Sequence, residues 1–367
     1  MRDKSLSRSV AGLLTLTLSV LMLAGCNGDG PGAAGSNGEV RLQGAGATFP
    51  NPLYQKWFSE YNRSHAGVKF DYQSIGSGGG IKQVSEQTVD FGGTDAPMKD
   101  EDLKNAKGEI LHVPTVLGAV VLTYNLPGVQ GELKLTPEAV AGIYLGQITT
   151  WDDPAIASMN AGLNLPSTSI TSVHRSDGSG TSFVFTDYLS KVSPSWKEKV
   201  GAGTSVQWPG GSNALGAKGN EGVTGQVKQT PNSIGYVELI YAEQQKLPVV
   251  TLKNAAGQMV KPTLESITAA AASIAGQMPD DLRVSITNAP GASAYPISAF
   301  TYLLVYKDQK EPVKGKALVD FLWWAIHDGQ RMASEMGYAP LPAEVVAKAE
   351  AKTRSIMHQG QPLLMNN

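Results

Sequence analysis

Val40-Arg41-Leu42-Gln43-Gly44-Ala45-Gly46-Ala47-Thr48-Phe49-Pro50 alternates apolar and polar residues at its start and ends in a glycine-rich segment with a hydroxyl. The alternation predicts a half-buried strand, and the glycines predict a tight loop after it. Leu53, Tyr54, Trp57, Phe58 and Tyr61 then follow helical spacing. The pattern repeats at once. Val68, Phe70 and Tyr72 alternate into Gly76-Ser77-Gly78-Gly79-Gly80, and Ile81 and Val84 suggest a short helix. Val89-Asp90-Phe91 reads as a third strand closed by Asp95-Ala96-Pro97. This rhythm of strand, loop and helix predicts an α/β fold with a parallel or mixed sheet and helices on its faces.

Further along, the nearly continuous apolar run Val116 to Tyr124 predicts a buried strand, and Thr136-Pro137-Glu138 predicts a helix start. A second series opens at Ile170 to His174 as strand. It continues through Asp177-Gly178-Ser179-Gly180-Thr181-Ser182 into a helix from about Thr181. Ser233 to Leu239 and Ile297 to Tyr306 read as strands, Lys316 to Glu335 as one helix, and Pro342 as the start of a last helix. Gly211 to Lys218 approaches phosphate-loop spacing but has Gly-Ala-Lys at its end and reads as a flexible loop. Two α/β series with late elements left over predict two lobes: residues 39–117 with 296–367, and residues 118–295. The chain would cross between them near 115–125 and 290–298, placing a cleft where strand C-termini and helix N-termini face each other.

Each glycine-rich segment precedes a helix. A helix N-terminus offers unpaired N–H groups and the positive end of a dipole, so three such ends meeting at one point would enclose a small anion. Thr48, Phe49 through its main chain, and Ser77 are the candidates in the first two segments, each of which would also serve as an ordinary helix start. The third is more specific: Arg175 supplies a planar fork for an oxyanion, Asp177 would hold that fork, and Ser179, Gly180 and Thr181 add hydroxyls and close main-chain approach. Asp95 repels a fully ionised ligand but can accept a hydrogen bond from one that keeps a proton. Phosphate keeps a proton near neutral pH and sulfate does not. An unmatched buried acceptor costs about 1–3 kcal/mol, so such a site would refuse sulfate.

The whole chain is 41% hydrophobic with only 17% charged residues and 41 glycines, and the formal net charge of −2 gives no general attraction for nucleic acid or acidic membrane. Residues 1–26 read as an export signal. Arg2, Lys4 and Arg8 precede an apolar stretch from Ala11 to Leu23 that is too short to span a bilayer. It ends in Leu23-Ala24-Gly25-Cys26, which resembles a lipobox, and Cys26 is the sole cysteine. Residues 27–38 then read as a glycine-rich tether with a reach on the order of 20 Å. Together they predict an extracytoplasmic protein, periplasmic in a Gram-negative cell, lipid-anchored to a membrane through Cys26.

At this point the chain resembles the phosphate-binding protein of the high-affinity phosphate ABC transporter, the PstS family. The resemblance rests on Gly44–Pro50, Ile75–Gly80 with Lys82-Gln83, Thr88–Pro97, Gly142–Asp153, Arg175–Phe185, Lys218–Gly222 and Ser233–Glu238, and runs from about residue 42 to 342. It implies a type 2 periplasmic-binding-protein fold, two lobes with central mixed sheets joined by a hinge, and dehydrated phosphate in the interlobe cleft. Carried over residue by residue, it places phosphate contacts on Thr48, Phe49, Ser77, Asp95, Arg175, Ser179, Gly180 and Thr181, with Asp177 supporting Arg175. It implies a monomer that uses no cofactor or metal and hands phosphate to membrane permease subunits driven by a cytoplasmic ATPase. His174 stands where the family often has arginine, and the turn reads Gly-Ser-Gly-Gly-Gly instead of Gly-Ser-Ser-Gly-Gly; neither removes a side-chain contact. The loops at 203–217 and 265–280 match less well.

A phosphatase would need a nucleophile, a base or metals. The five histidines form no ligand pair, Asp152-Asp153 reads as a turn or cap, and no nucleophile elbow surrounds Ser77 or Ser179. A structural or adhesive surface protein would accommodate the tether but leave three anion-type helix starts without a purpose.

Overall fold

The computed structural model describes residues 38–364, so the expected export signal and Cys26 lie outside the described residues. Eight strands build one mixed sheet: β1 (Val40–Gly46), β2 (Val68–Ser74), β3 (Phe91–Thr94), β4 (Ile110–Asn125), β5 (Thr171–Arg175), β6 (Ala214–Ala217), β7 (Ser233–Glu238) and β8 (Ser298–Tyr306). Their spatial order is β2-β1-β3-β8-β4-β7-β5-β6. β1 pairs parallel with β2 and β3, and β5 pairs parallel with β6 and β7, while β8 and β4 run antiparallel to their neighbours. β4 is the joint. Ile110 to Ala119 pair with β8, and Val120 to Asn125 pair with β7. The change of partner falls between Ala119 and Val120, where Val120 N–H donates to Ile297 O at 2.8 Å, just ahead of β8. The protein from Glu39 onward forms one compact unit.

Helices follow strands as the apolar spacing dictates: α1 (Asn51–Ser64), α2 (Ser77–Ser85), α3 (Pro137–Tyr144), α4 (Gly180–Val192), α5 (Gly219–Gln229), α6 (Pro312–Ile326) and α7 (Gln330–Glu335). α1 turns Leu53, Tyr54, Trp57, Phe58 and Tyr61 into the core, where Phe58 stacks on Phe70 and packs at a tilt against Phe321. α3 opens as expected, with Thr136 Oγ1 accepting from Ala139 N–H and Pro137 in the first turn. Beneath α4 a second aromatic cluster joins Tyr144, Phe185, Trp208 and Tyr236.

Four local expectations are corrected. The third strand is Phe91–Thr94 instead of Val89–Phe91, because Asp90 turns its carboxylate to the Gln43 N–H at 2.7 Å and pairing begins at Phe91 opposite Gly44. α2 starts at Ser77, four residues before Ile81, so the glycines form its first turn and Gly80 lies directly against the backbone of Gly46 and Gly93. Residues 214–217 form edge strand β6, whose four residues are too few to carry a periodic signal but pair in register with Ser172 to Arg175. The single helix expected over Lys316 to Glu335 breaks at His327-Asp328-Gly329. Gln330 Nε2 donates to Thr115 O at 2.9 Å and Ala325 O at 2.7 Å, and Trp57 Nε1 donates to Gly329 O at 2.9 Å, so side chains satisfy carbonyls at the break.

Candidate anion-binding site

The parallel strands β1, β2, β3, β5 and β6 deliver their C-terminal ends to one region, and four of them continue into the starts of α1, α2, α4 and α5. The loops after β1, β2 and β3 come from one half of the sheet, and those after β5 and β6 from the other. Gly78 N–H donates to Gly178 O at 2.9 Å and closes the two sets of loops on each other. Gly76 has φ of +88°, the left-handed region in which a side chain is strained, and a Cβ there would also strike Asp177 Oδ2 and Gly178 O. Thr48, Phe49, Ser77, Asp95, Arg175, Ser179, Gly180 and Thr181 are all buried.

Arg175 ends β5, and its backbone N–H donates to Tyr236 OH at 3.0 Å, which anchors the strand end to the aromatic cluster. Its guanidinium is held bidentately by Asp177, Nε to Oδ1 at 2.7 Å and Nη2 to Oδ2 at 2.5 Å. Asp177 Oδ1 also accepts from Gly219 N–H at 3.1 Å. Burial works to raise the Asp177 pKa, but the bonds and charge of Arg175 outweigh it and hold the carboxyl below its ordinary range. The Arg175 Nη1 approaches Thr181 Oγ1 at 3.4 Å. Of the five N–H bonds of a guanidinium, one on each Nη is left for an oxyanion.

Asp95 follows β3 and faces both halves. Its Oδ1 accepts from Thr301 Oγ1 at 2.8 Å, and its own N–H donates to Ser77 Oγ at 3.2 Å. Gly180, in the first turn of α4, lies so close that a Cβ would collide with Ser77 Oγ and Asp95 Oδ2. Burial raises the Asp95 pKa to about 7, against the opposing effects of the Thr301 hydrogen bond, the Arg175 charge and the Ser77 hydrogen bond. Arg175 and Asp95 therefore sense each other across the closed loops.

Thr48 Oγ1 accepts from Asn220 Nδ2 at 2.8 Å and from Asn220 N–H at 3.3 Å. Asn220 Nδ2 also donates to Thr181 Oγ1 at 3.1 Å, and its Oδ1 accepts from Glu238 N–H at 2.9 Å. Two tyrosines fix the loop after β1: Tyr241 OH donates to Thr48 O at 2.5 Å, and Tyr338 OH donates to Phe49 O at 2.7 Å. Ser179 caps α4, its Oγ accepting from Ser182 N–H at 3.0 Å. Each of the four hydroxyls at Thr48, Ser77, Ser179 and Thr181 thus receives an N–H from the protein; this disposes the protons of Thr48, Ser179 and Thr181 toward an outside acceptor, while that of Ser77 also has Asp95 Oδ2 within reach at 3.5 Å.

The structure brings together all eight candidate contact residues and Asp177. Sequence reasoning missed Thr301, Asn220, Tyr241 and Tyr338. Thr301 lies in the middle of a fully buried strand, and the tyrosines sit in apolar surroundings, so nothing local marks them. Asn220 stands at the start of α5 inside Lys218–Gly222, where the resemblance was noted without a role for it.

A family model described as a PBP superfamily domain matches residues 31–328. Proteins named phosphate-binding protein PstS are similar over most of their length. One from Xylella fastidiosa (strain 9a5c) is 48% identical over 89% of this chain and 88% of its own, and one from Methanocaldococcus jannaschii is 41% identical over 90% and 91%. Among solved structures, a periplasmic phosphate-binding protein (PfluDING) bound with phosphate superposes with TM-score 0.66 at 22% identity, covering 85% of this chain and 93% of that one. A putative phosphate ABC transporter substrate-binding protein with bound phosphate from Clostridium perfringens superposes with TM-score 0.60 at 18% identity, covering 82% and 100%. The fold is that of the type 2 periplasmic binding proteins. Within that class the chain belongs to the PstS family of phosphate-binding proteins.

Proposed function

We propose that this protein captures inorganic phosphate outside the cytoplasm, closes two lobes around it, and delivers it to the permease of an ABC importer whose ATPase subunits work on the far side of the membrane. The observation that carries the reading is the buried meeting of Arg175 and its hydroxyl donors with the single acceptor Asp95. Relatives that carry the name phosphate-binding protein PstS and match over about nine-tenths of their length support it. Phosphate oxygens take the N–H and O–H donors of Thr48, Phe49, Ser77, Arg175, Ser179, Gly180 and Thr181, and the remaining proton of the ligand is given to Asp95. Sulfate brings no such proton and is refused. The lobes are residues 39–117 with 296–367, and 118–295, flexing where β4 changes partner. The mature protein is a monomer anchored by a lipid on Cys26.

Binding to the donors needs no bond cleavage, and the reading is of a carrier without catalysis. Calorimetric titration with phosphate and, separately, with sulfate tests it. Saturable one-to-one heat with phosphate and none with sulfate is expected, and turnover of a chromogenic phosphate ester abolished by substitutions in these loops would replace it with an enzyme.

A further inference from the structure

We infer that Asn220 is a positioning residue of this site, one whose amide turns the hydroxyls of Thr48 and Thr181 into pure donors aimed at the ligand. The inference rests on the phosphate reading and extends it to which corner of the anion carries its proton.

A hydroxyl has one hydrogen to give and two lone pairs that accept. Thr48 Oγ1 receives both N–H groups of Asn220, the side-chain amide at 2.8 Å and the backbone at 3.3 Å. Thr181 Oγ1 receives Asn220 Nδ2 at 3.1 Å and Arg175 Nη1 at 3.4 Å. With their accepting capacity used by the protein, both hydroxyls can only donate. The amide cannot be reversed: its Oδ1 accepts from Glu238 N–H at 2.9 Å, and a flip would set Nδ2 against that donor. Asn220 is fully buried, so water does not compete for these bonds. The ligand corner at Thr48 and Thr181 must therefore present bare oxygens, and an ester or a protonated oxygen there finds no acceptor. The proton of a monoprotonated oxyanion is then left for the carboxylate of Asp95.

The Asn220–Thr181 contact lies wholly among elements that follow β4, so its coupling reports on positioning and is independent of loop closure onto Thr48. Calorimetry with inorganic phosphate on the full chain tests this with Asn220→Ala, Thr181→Val and the double variant, alongside Asn220→Asp. The Asp variant keeps an oxygen for Glu238 N–H, and so preserves the local fold, but offers the threonines no side-chain donor. Asn220→Ala weakens phosphate binding by at least about tenfold in the natural background and by about threefold or less in the Thr181→Val background, because bonds that share a partner are not additive. Asn220→Asp weakens it at least as much as Asn220→Ala. Equal losses in both backgrounds, or an Asn220→Asp protein that binds as tightly as the unsubstituted chain, overturn the inference. An unsubstituted chain that gives no heat with phosphate instead removes the functional reading on which it stands.

Discussion

Thr301 Oγ1 donates to Asp95 Oδ1 at 2.8 Å, so one oxygen of this buried carboxylate is already engaged while Gly180 crowds the other, Oδ2. That second oxygen, which Ser77 Oγ approaches at 3.5 Å, lies where α4 begins. Replacing the acceptor by an amide of the same shape puts a donor there. Asp95→Asn should retain the Thr301 hydrogen bond and raise affinity for sulfate relative to phosphate by at least about tenfold, since an unmatched buried group is removed. Competition titrations check this, and an unchanged ratio of the two affinities would take Asp95 out of the selectivity.

The same carboxyl makes the ligand-free protein sensitive to pH. Its pKa is raised to about 7 by burial, above the ordinary value in the unfolded chain. A raised acid binds its proton more tightly when folded, so its contribution to stability is present in full below about pH 4 and is lost as pH climbs through about 7. The loss is on the order of a few kcal/mol. Denaturant unfolding without phosphate should show the native protein losing more stability than Asp95→Asn between about pH 4 and 8. Parallel pH profiles for the two would place the titration elsewhere.

Arg175 is pinned by Asp177. Arg175→Ala should weaken phosphate binding by at least roughly tenfold, as a buried charge-assisted contact disappears. The outcome that removes Arg175 from the site is an unaltered dissociation constant.

Gly180 tests closure in isolation. A methyl group there meets Ser77 Oγ and Asp95 Oδ2, which belong to the other half, while the rest of α4 is undisturbed. Gly180→Ala should reduce phosphate affinity by about ten- to a hundredfold, the range expected of overpacking by about 1–3 kcal/mol, with melting of the ligand-free protein nearly unchanged. Small-angle scattering with saturating phosphate should show less compaction than in the unsubstituted chain; full compaction would mean that the two halves do not meet at this glycine.

Cys26 is a separate matter of processing. Mass spectrometry of the mature N-terminus should find acyl chains on this residue, and an unmodified start at another position would refute the anchor.

Much of the site was legible because its chemistry is local in sequence. Glycines and hydroxyls gathered before a helix suggest an anion site, as at Thr48 and Ser77, and the arginine that joins them at Arg175 and Ser179 makes the third segment specific. Thr301 was invisible for the opposite reason: a threonine inside an unbroken buried strand looks like any β-branched core residue. Asn220 is marked only by the three hydrogen-bonding partners that the fold brings to it from residues 48, 181 and 238. The strand at 214–217 escaped periodicity because four residues, with Leu215 as the one large side chain among them, are too short a run to show alternation. The helix break at 327–329 depends on Gln330 reaching Thr115 O, a contact between distant residues that spacing alone does not reveal.

The place of β8 between β3 and β4 has a consequence for how the molecule comes into being. The first half of the sheet is synthesised with a gap in its middle, and the filling strand arrives only at Ser298–Tyr306, after the entire second half has emerged. Until then β3 and the start of β4 present unpaired edges that invite association with other chains. A chain threaded across a membrane from its N-terminus therefore reaches the far side with its first half unfinished, and cutting it anywhere before Ser298 leaves a fragment that cannot complete its own sheet.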